Sequence, residues 1–190
     1  MPDDLVPIEL KSLFRIASMG GGVLLDAGEK TFAMFIGAAE VRALALAAER
    51  LEPPRPLSHN LLDAILRRTG IEVLSLVIDA LRDDTFHATL TLRRGGRELE
   101  IDCRPSDGLV MAIRHRAPIY VRREVLERVD DGEAVLRALQ QRLRGLGAAP
   151  RPEPAPPPAR SEPPEAEGPV GDVREVGGID WSFLDELEAD

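Results

Sequence analysis

Polar and apolar positions alternate strictly from Thr85 to Leu92, with Phe86, Ala88, Leu90 and Leu92 on one face, and again from Arg97 to Cys103, with Leu99, Ile101 and Cys103 apolar. A period of two residues is that of a half-buried strand, and the intervening Gly95-Gly96 suits a two-residue hairpin turn. That turn predicts a register in which partner numbers sum to 191. Arg94 then faces Arg97, while Leu92–Leu99, Leu90–Ile101 and Ala88–Cys103 stack on the apolar side. Arg93–Glu98, Thr91–Glu100, Thr89–Asp102 and His87–Arg104 fall on the polar side. A one-residue slip would mix the two sets, so the register is self-consistent. An apolar strand from Val73 to Leu81 precedes the hairpin, and a helix whose Leu109, Val110, Ile113 and Ala117 share a face follows it. The unit reads β-β-β-α.

The same order appears earlier. Ile8 to Ile16 reads as a strand, and Val23–Asp26 and Thr31–Ile36 as a hairpin around Gly28. Gly37 opens a helix with the stripe Val41, Leu44, Ala45 and Ala48. At an offset of 67, Glu40 falls on Asp107 and Ile36 on Cys103, so both units carry an acid in the first helical turn. Between them a short helix is predicted, with Ser58 as N-cap, Leu61, Leu62, Ile65 and Leu66 as apolar face and Gly70 as stop. After the second unit, Ala117 to Val121 reads as a short strand, Arg123 to Val129 as a helix, and Glu133 to Leu146 as another helix with Val135, Leu136, Leu139 and Leu143 apolar. The expected fold class is α+β: a duplicated β-β-β-α repeat forming a barrel-like mixed sheet with helices packed on it.

Composition shifts near residue 147. Nine of the twenty residues from Pro150 to Pro169 are proline, which reads as a disordered linker. Beyond it, Ile179 to Leu187 is acidic and aromatic, with Trp181, Leu184 and Leu187 near one face if helical. It reads either as a docking motif for a protein partner or as a terminus without function. The expected divisions are a domain over 1–130, a C-terminal helix over 131–147, a disordered Pro/Glu-rich linker over 148–178 and the terminal segment over 179–190.

The 190 residues are 44% hydrophobic but only 4% aromatic, so aliphatic packing must carry the core. The single cysteine excludes an internal disulfide. No apolar run reaches the length of a membrane span and the first residues are acidic, so no signal peptide, no membrane anchor and a cytoplasmic location are expected. The net charge of −9 is uneven. Residues 1–130 hold 18 Lys and Arg against 20 Asp and Glu, whereas residues 131–190 hold 6 against 13. A near-neutral body leaves nucleic-acid binding to a local basic patch rather than a broad footprint.

The densest chemistry lies at Asp102-Cys103-Arg104-Pro105-Ser106-Asp107-Gly108, where a strand turns sharply into a helix. Pro105 and Ser106 are helix-start residues, and Asp107 sits where the helix dipole favours negative charge. Two acids, a guanidinium and open amides suit a metal or phosphate site, and equally a salt-bridged helix start. His59 and Asp63, four apart on the short helix, can orient one another, bind a metal or simply cap and salt-bridge. His115, within Arg114-His115-Arg116, reads as a solvated basic face that, with Arg122 and Arg123, can touch a phosphate backbone. Cys103 reads as core.

Three segments resemble the bifunctional nuclease family of bacteria and plants: Arg55-Pro56-Leu57-Ser58-His59-Asn60-Leu61-Leu62, Asp102-Cys103-Arg104-Pro105-Ser106-Asp107, and Ala117-Pro118-Ile119-Tyr120-Val121. The step Gly37-Ala38-Ala39-Glu40 is similar to a family helix start, and the likeness covers roughly residues 5–130. Two positions depart from the pattern: Asn60 stands where the family has aspartate, which weakens any metal role there, and Gly108 where it has alanine. The resemblance implies a nuclease acting on DNA and RNA with little sequence preference, assisted by a divalent metal such as Mg or Mn. Asp107, Asp102, Arg104 and His59 are the expected catalytic residues, with Arg104 as phosphate clamp. Arg55, Ser106, His87 and Arg114 are expected to bind substrate, and Asp107, Asp102 and Glu40 to hold the metal. A homo-oligomer is expected because a barrel-like sheet leaves apolar helix faces to cover. The alternative is a non-catalytic protein- or ligand-binding module docking through its C-terminal segment.

Overall fold

The computed structural model of the chain describes residues 4–16 and 20–146. Eight strands and five helices follow in the order β1 (Leu5–Pro7), β2 (Glu9–Arg15), β3 (Gly21–Asp26), β4 (Thr31–Ile36), α1 (Ala38–Glu49), α2 (Ser58–Arg68), β5 (Glu72–Arg82), β6 (Thr85–Arg94), β7 (Arg97–Cys103), α3 (Pro105–His115), β8 (Ile119–Arg122), α4 (Arg123–Arg128) and α5 (Gly132–Leu146). The strands form two sheets, a five-stranded one in the order β1-β8-β5-β6-β7 and an antiparallel meander β2-β3-β4. Only β5 and β8 pair in parallel. This is an α+β fold, but it is not the barrel expected from the strand count: the two sheets do not pair with each other, and β1, β7, β2 and β4 stay as edges. The element order β-β-β-α is found in β2-β3-β4-α1 and β5-β6-β7-α3, but the first three strands form a sheet of their own whereas the second three share theirs with β1 and β8.

The β6–β7 hairpin has the register that its pattern predicts, from Arg94 opposite Arg97 to Ala88 opposite Cys103. Gly95 and Gly96 have φ of 54° and 79°, the two positive values that a primed hairpin turn requires. One consequence of the edge position escaped the pattern. Leu99 and Ile101 lie on the helix-bearing side, opposite the buried Leu92 and Leu90, yet each is 46% exposed.

One apolar core joins both sheets and the helices, built from aliphatic residues such as Leu25, Leu44, Leu76, Ile78 and Leu109 around Phe32. α3 lies at its centre. It contacts α1 and α2 as well as β5 and β6, so Leu109, Val110, Met111 and Ala112 are all buried. A single apolar face is therefore the wrong description of α3, and Ala117 lies beyond its end. On α1 the buried stripe is Val41, Leu44 and Ala47 with Ala43, while Ala45 is half-buried and Ala48 exposed.

α2 departs most from its pattern. It begins at Ser58, with Leu57 at the cap position and the Asn60 carboxamide accepting the Leu57 N–H at 3.0 Å. Of its expected apolar face only Leu66 is buried. Leu61, Leu62 and Ile65 are exposed, and the second buried residue is the charged Asp63. Among the described residues no helix is long and apolar enough to cross a membrane. The linker and the Trp181 segment lie outside the described residues.

Candidate functional site

α1 and α3 run side by side, and both begin without a side-chain cap. Their first-turn acids, Glu40 and Asp107, meet on one guanidinium. Arg104 is the residue before α3. Its Nε donates to Asp107 Oδ2 at 2.8 Å and its Nη2 to Oδ1 at 3.2 Å, while Nη1 lies 3.1 Å from Glu40 Oε1. His59, on the first turn of α2, completes the group with Nε2 3.0 Å from Asp107 Oδ1. Burial pushes the Asp107 carboxyl up, but the hydrogen bonds from Arg104 and His59 outweigh it and hold the group below the usual carboxylate range. Opposite the cap residue Gly37, the Glu40 carboxylate folds back so closely that a Cβ there would lie 2.4 Å from Oε2.

Glu40, Arg104, Asp107 and His59 are thus brought together from three helix starts. Ser106 is buried beside them, in the wall of a pocket of about 360 Å³ that Glu40 and Arg104 also line. The other expected site residues stand apart. Asp102 is exposed on β7 opposite Thr89, which bonds instead to Asp79 at 2.5 Å. His87 is paired with Ala80 of β5, and no hydrogen bond or ion pair joins it to the cluster. Arg55 is exposed on the segment before α2.

Arg114 lies at the opposite end of α3, in a second polar cluster around Asp63. Asp63 Oδ1 accepts from Arg67 Nε at 2.7 Å and Oδ2 from Arg114 at 3.3 Å, and His115 Nε2 approaches Oδ1 to 2.9 Å without the alignment of a hydrogen bond. Arg114 also reaches Glu52 at 2.8 Å. Arg114 and His115 are therefore mostly buried against α2 rather than forming a solvated basic face, with side-chain exposures of 14% and 12%. Burial outweighs the nearby carboxylate and lowers the His115 pKa. His59 and Asp63 do not orient each other: they belong to different clusters, and the partner of His59 is 48 residues away in sequence.

A resident divalent ion does not fit these donors. Glu40 and Asp107 both turn onto Arg104, Asp102 is outside the group, and among the described residues no three His, Cys, Asp or Glu side chains gather as a cation site. Asn60 is also committed: it caps α2 and donates to Glu52 Oε2 at 2.6 Å. Cys103 is held in its thiol form, pushed up to about 11 by burial and by Asp107, Asp102 and Asp79.

Sequence reasoning missed Glu52, which ties Asn60 to Arg114, and the burial of Asp63. The available signal was an acid four residues before Arg67 inside an apolar helix.

The model of the bifunctional nuclease domain matches residues 23–131. An uncharacterized protein of Mycobacterium tuberculosis is 35% identical over 99 residues, which is 52% of this chain and 58% of that protein. Bifunctional nuclease 1 of Oryza sativa subsp. indica is 31% identical over 85 residues, 43% of this chain and 26% of the rice protein, as is the bifunctional nuclease of Oryza minuta. The chain thus spans about 58% of the mycobacterial relative and a quarter of the rice ones. The family match covers more than half of the chain and takes in α1, α2 and α3, whose starts supply the Glu40–Arg104–Asp107–His59 cluster, and on that ground the chain belongs to the bifunctional nuclease domain family.

Proposed function

We propose that this chain is a nuclease that hydrolyses phosphodiester bonds of DNA and RNA with little sequence preference. The observation that carries this reading is the His59–Asp107 contact of 3.0 Å beside Arg104. A carboxylate that accepts from Nε2 fixes the imidazole tautomer and leaves Nδ1 with a free lone pair, the arrangement of an oriented general base. His59 takes a proton from a water molecule, the hydroxide attacks phosphorus, and the leaving oxygen departs with a proton from solvent. Arg104 supplies donors for the negative charge that builds on the phosphoryl oxygens. Its side chain is 66% exposed, so its remaining N–H groups are accessible to a phosphate. A divalent ion enters this scheme as one carried by the substrate phosphate rather than as one caged by the protein.

The test is hydrolysis of labelled single-stranded DNA and RNA by the full chain, with Mg²⁺, Mn²⁺ or chelator, beside Asp107→Asn and His59→Gln. Loss of cleavage in both variants supports the reading. Equal cleavage by all three proteins refutes it.

One observation favours a second reading, that of a non-catalytic protein- or ligand-binding module, and also the homo-oligomer expected under either reading. Leu57, Leu61, Leu62 and Ile65 form an exposed apolar stripe along α2. Light scattering of the wild type and of Leu61→Lys distinguishes an assembled from a single-chain protein. The protein partner expected at Trp181, Leu184 and Leu187 is part of this second reading.

A further inference from the structure

The pocket beside Arg104 has an aromatic wall that a phosphate clamp alone does not need. Phe35, the penultimate residue of β4, is 58% exposed and lines it together with Phe86, Glu40, Asp84, Arg104 and Ser106. The Phe35 ring is held in place. Phe14, Gly22 and Phe35 lie opposite one another across β2, β3 and β4, and because Gly22 has no side chain the outer rings meet edge to face, 5.8 Å apart at 84°. A Cβ at Gly22 would lie 2.4 Å from the Phe14 ring. A fixed ring with an open face is a stacking platform. Ser106, 5% exposed as a residue, also lines the pocket at the uncapped start of α3.

We infer that the pocket takes one unpaired nucleobase, stacked on Phe35, with its phosphate reaching Arg104 and the hydroxyl and backbone N–H of Ser106. A pocket of about 360 Å³ has room for a nucleobase, and a base lays its face on the Phe35 ring only when it is splayed out of a duplex, so the strand must be unpaired where it binds. Glu40 and Asp84 on the rim accept hydrogen bonds from base N–H groups. The inference rests on the nuclease reading for the class of substrate, and makes Phe35 a specificity-determining residue outside the expected set.

The test is fluorescence anisotropy of the full chain, in chelator, with a labelled ten-nucleotide oligothymidylate, the same strand with abasic sugars, and a blunt duplex of that length. Phe35→Ala, at an exposed position where folding is checked by circular dichroism, is expected to weaken binding of the base-bearing strand about tenfold. It leaves the abasic strand unchanged, and Phe35→Trp restores binding. Equal weakening of both strands, no weakening of either, no binding by the wild type, or a Phe35→Ala protein that differs only in its oligomeric state overturns the inference. Phe35-dependent binding without cleavage refutes the nuclease reading and leaves the pocket standing. Cleavage that ignores Phe35 does the reverse.

Discussion

Replacing Asp63 with alanine tests whether the polar cluster between α2 and α3 holds the fold together. Its carboxylate is 10% exposed and is the common partner of Arg67, Arg114 and His115. The Arg67 side chain is 60% exposed, so its loss of a partner costs little. The Arg114 side chain is 14% exposed, and its Nε already lacks a partner. Removing one member of a buried pair leaves an uncompensated charge, at a cost of roughly 3–5 kcal/mol. Glu52 retains a hold on Arg114 at 2.8 Å from a solvated position, which argues for the lower end, about 3 kcal/mol. That corresponds to about a hundredfold in the unfolding constant and to a fall of roughly 6–12 °C in Tm for a chain of this size. Urea titrations followed by far-UV circular dichroism at pH 7.5 measure it. In the Asp63→Ala background, Arg114→Met is expected to recover part of the loss, because it removes the stranded cation. A loss below about 1 kcal/mol, or a further loss on adding Arg114→Met, refutes the argument.

Three other outcomes are expected. Burial holds the His115 pKa below 6.5, so the unfolded chain takes up a proton first as pH falls through 6.5 and native stability declines; His115→Asn removes this part of the pH profile in thermal melts. Asp63 and Asp107 are both held below 3.8 despite burial, so their contribution is full above that value and is lost as pH falls through the lower native values, steepening acid unfolding in the same melts. In Gly108→Ala the new methyl meets Leu76 Cδ1 at 2.4 Å and Cys103 Sγ at 3.0 Å. Overpacking of about 1–3 kcal/mol then exceeds a helix-propensity gain of about 1 kcal/mol, and Tm falls unless Leu76→Val is added.

Most strands were legible because their signals are local, whereas β1, three residues held at a sheet edge by β8, was not. The β6–β7 register follows from one turn and a two-residue period, so every pair from Arg94–Arg97 to Ala88–Cys103 could be read in advance. Packing between elements is not local. α2 carries Leu61, Leu62 and Ile65 on what looks like a core face, but α3 presents Arg114 and His115 toward it, and so Asp63 is the residue that turns inward. The same limit applies at the site. The strand-to-helix turn placed Arg104 and Asp107 together, and the recurring first-turn acid placed Glu40 on a matching helix. That α1 and α3 lie side by side, and that α2 delivers His59 rather than His87 or Asp102, depends on contacts between segments 48 or more residues apart. Gly108 shows the opposite case: as an isolated residue it reads as a weaker helix start, whereas in the fold it lets α3 press against Leu76.

Glu40 and Asp107 occupy equivalent positions in their helices, but the positions before those helices differ: Arg104 precedes α3 and Gly37 precedes α1. One cation therefore serves two acids, and Glu40, Asp107 and Arg104 together carry a net charge of −1. Arg104 decides what that charge attracts. While it bridges both carboxylates, a divalent ion must displace a guanidinium to reach either, and the group instead presents N–H donors to an anion. Arg104→Ala is expected to invert this preference. Glu40 and Asp107 lose the guanidinium they share while Asp107 keeps His59, and Mn²⁺ binding to the two carboxylates, undetectable by calorimetry in the wild-type protein without nucleic acid, appears in the variant as oligonucleotide binding falls. Mn²⁺ binding of equal strength in both proteins would mean that the carboxylates already hold an ion despite Arg104, and that Arg104 is a structural strut rather than a phosphate clamp.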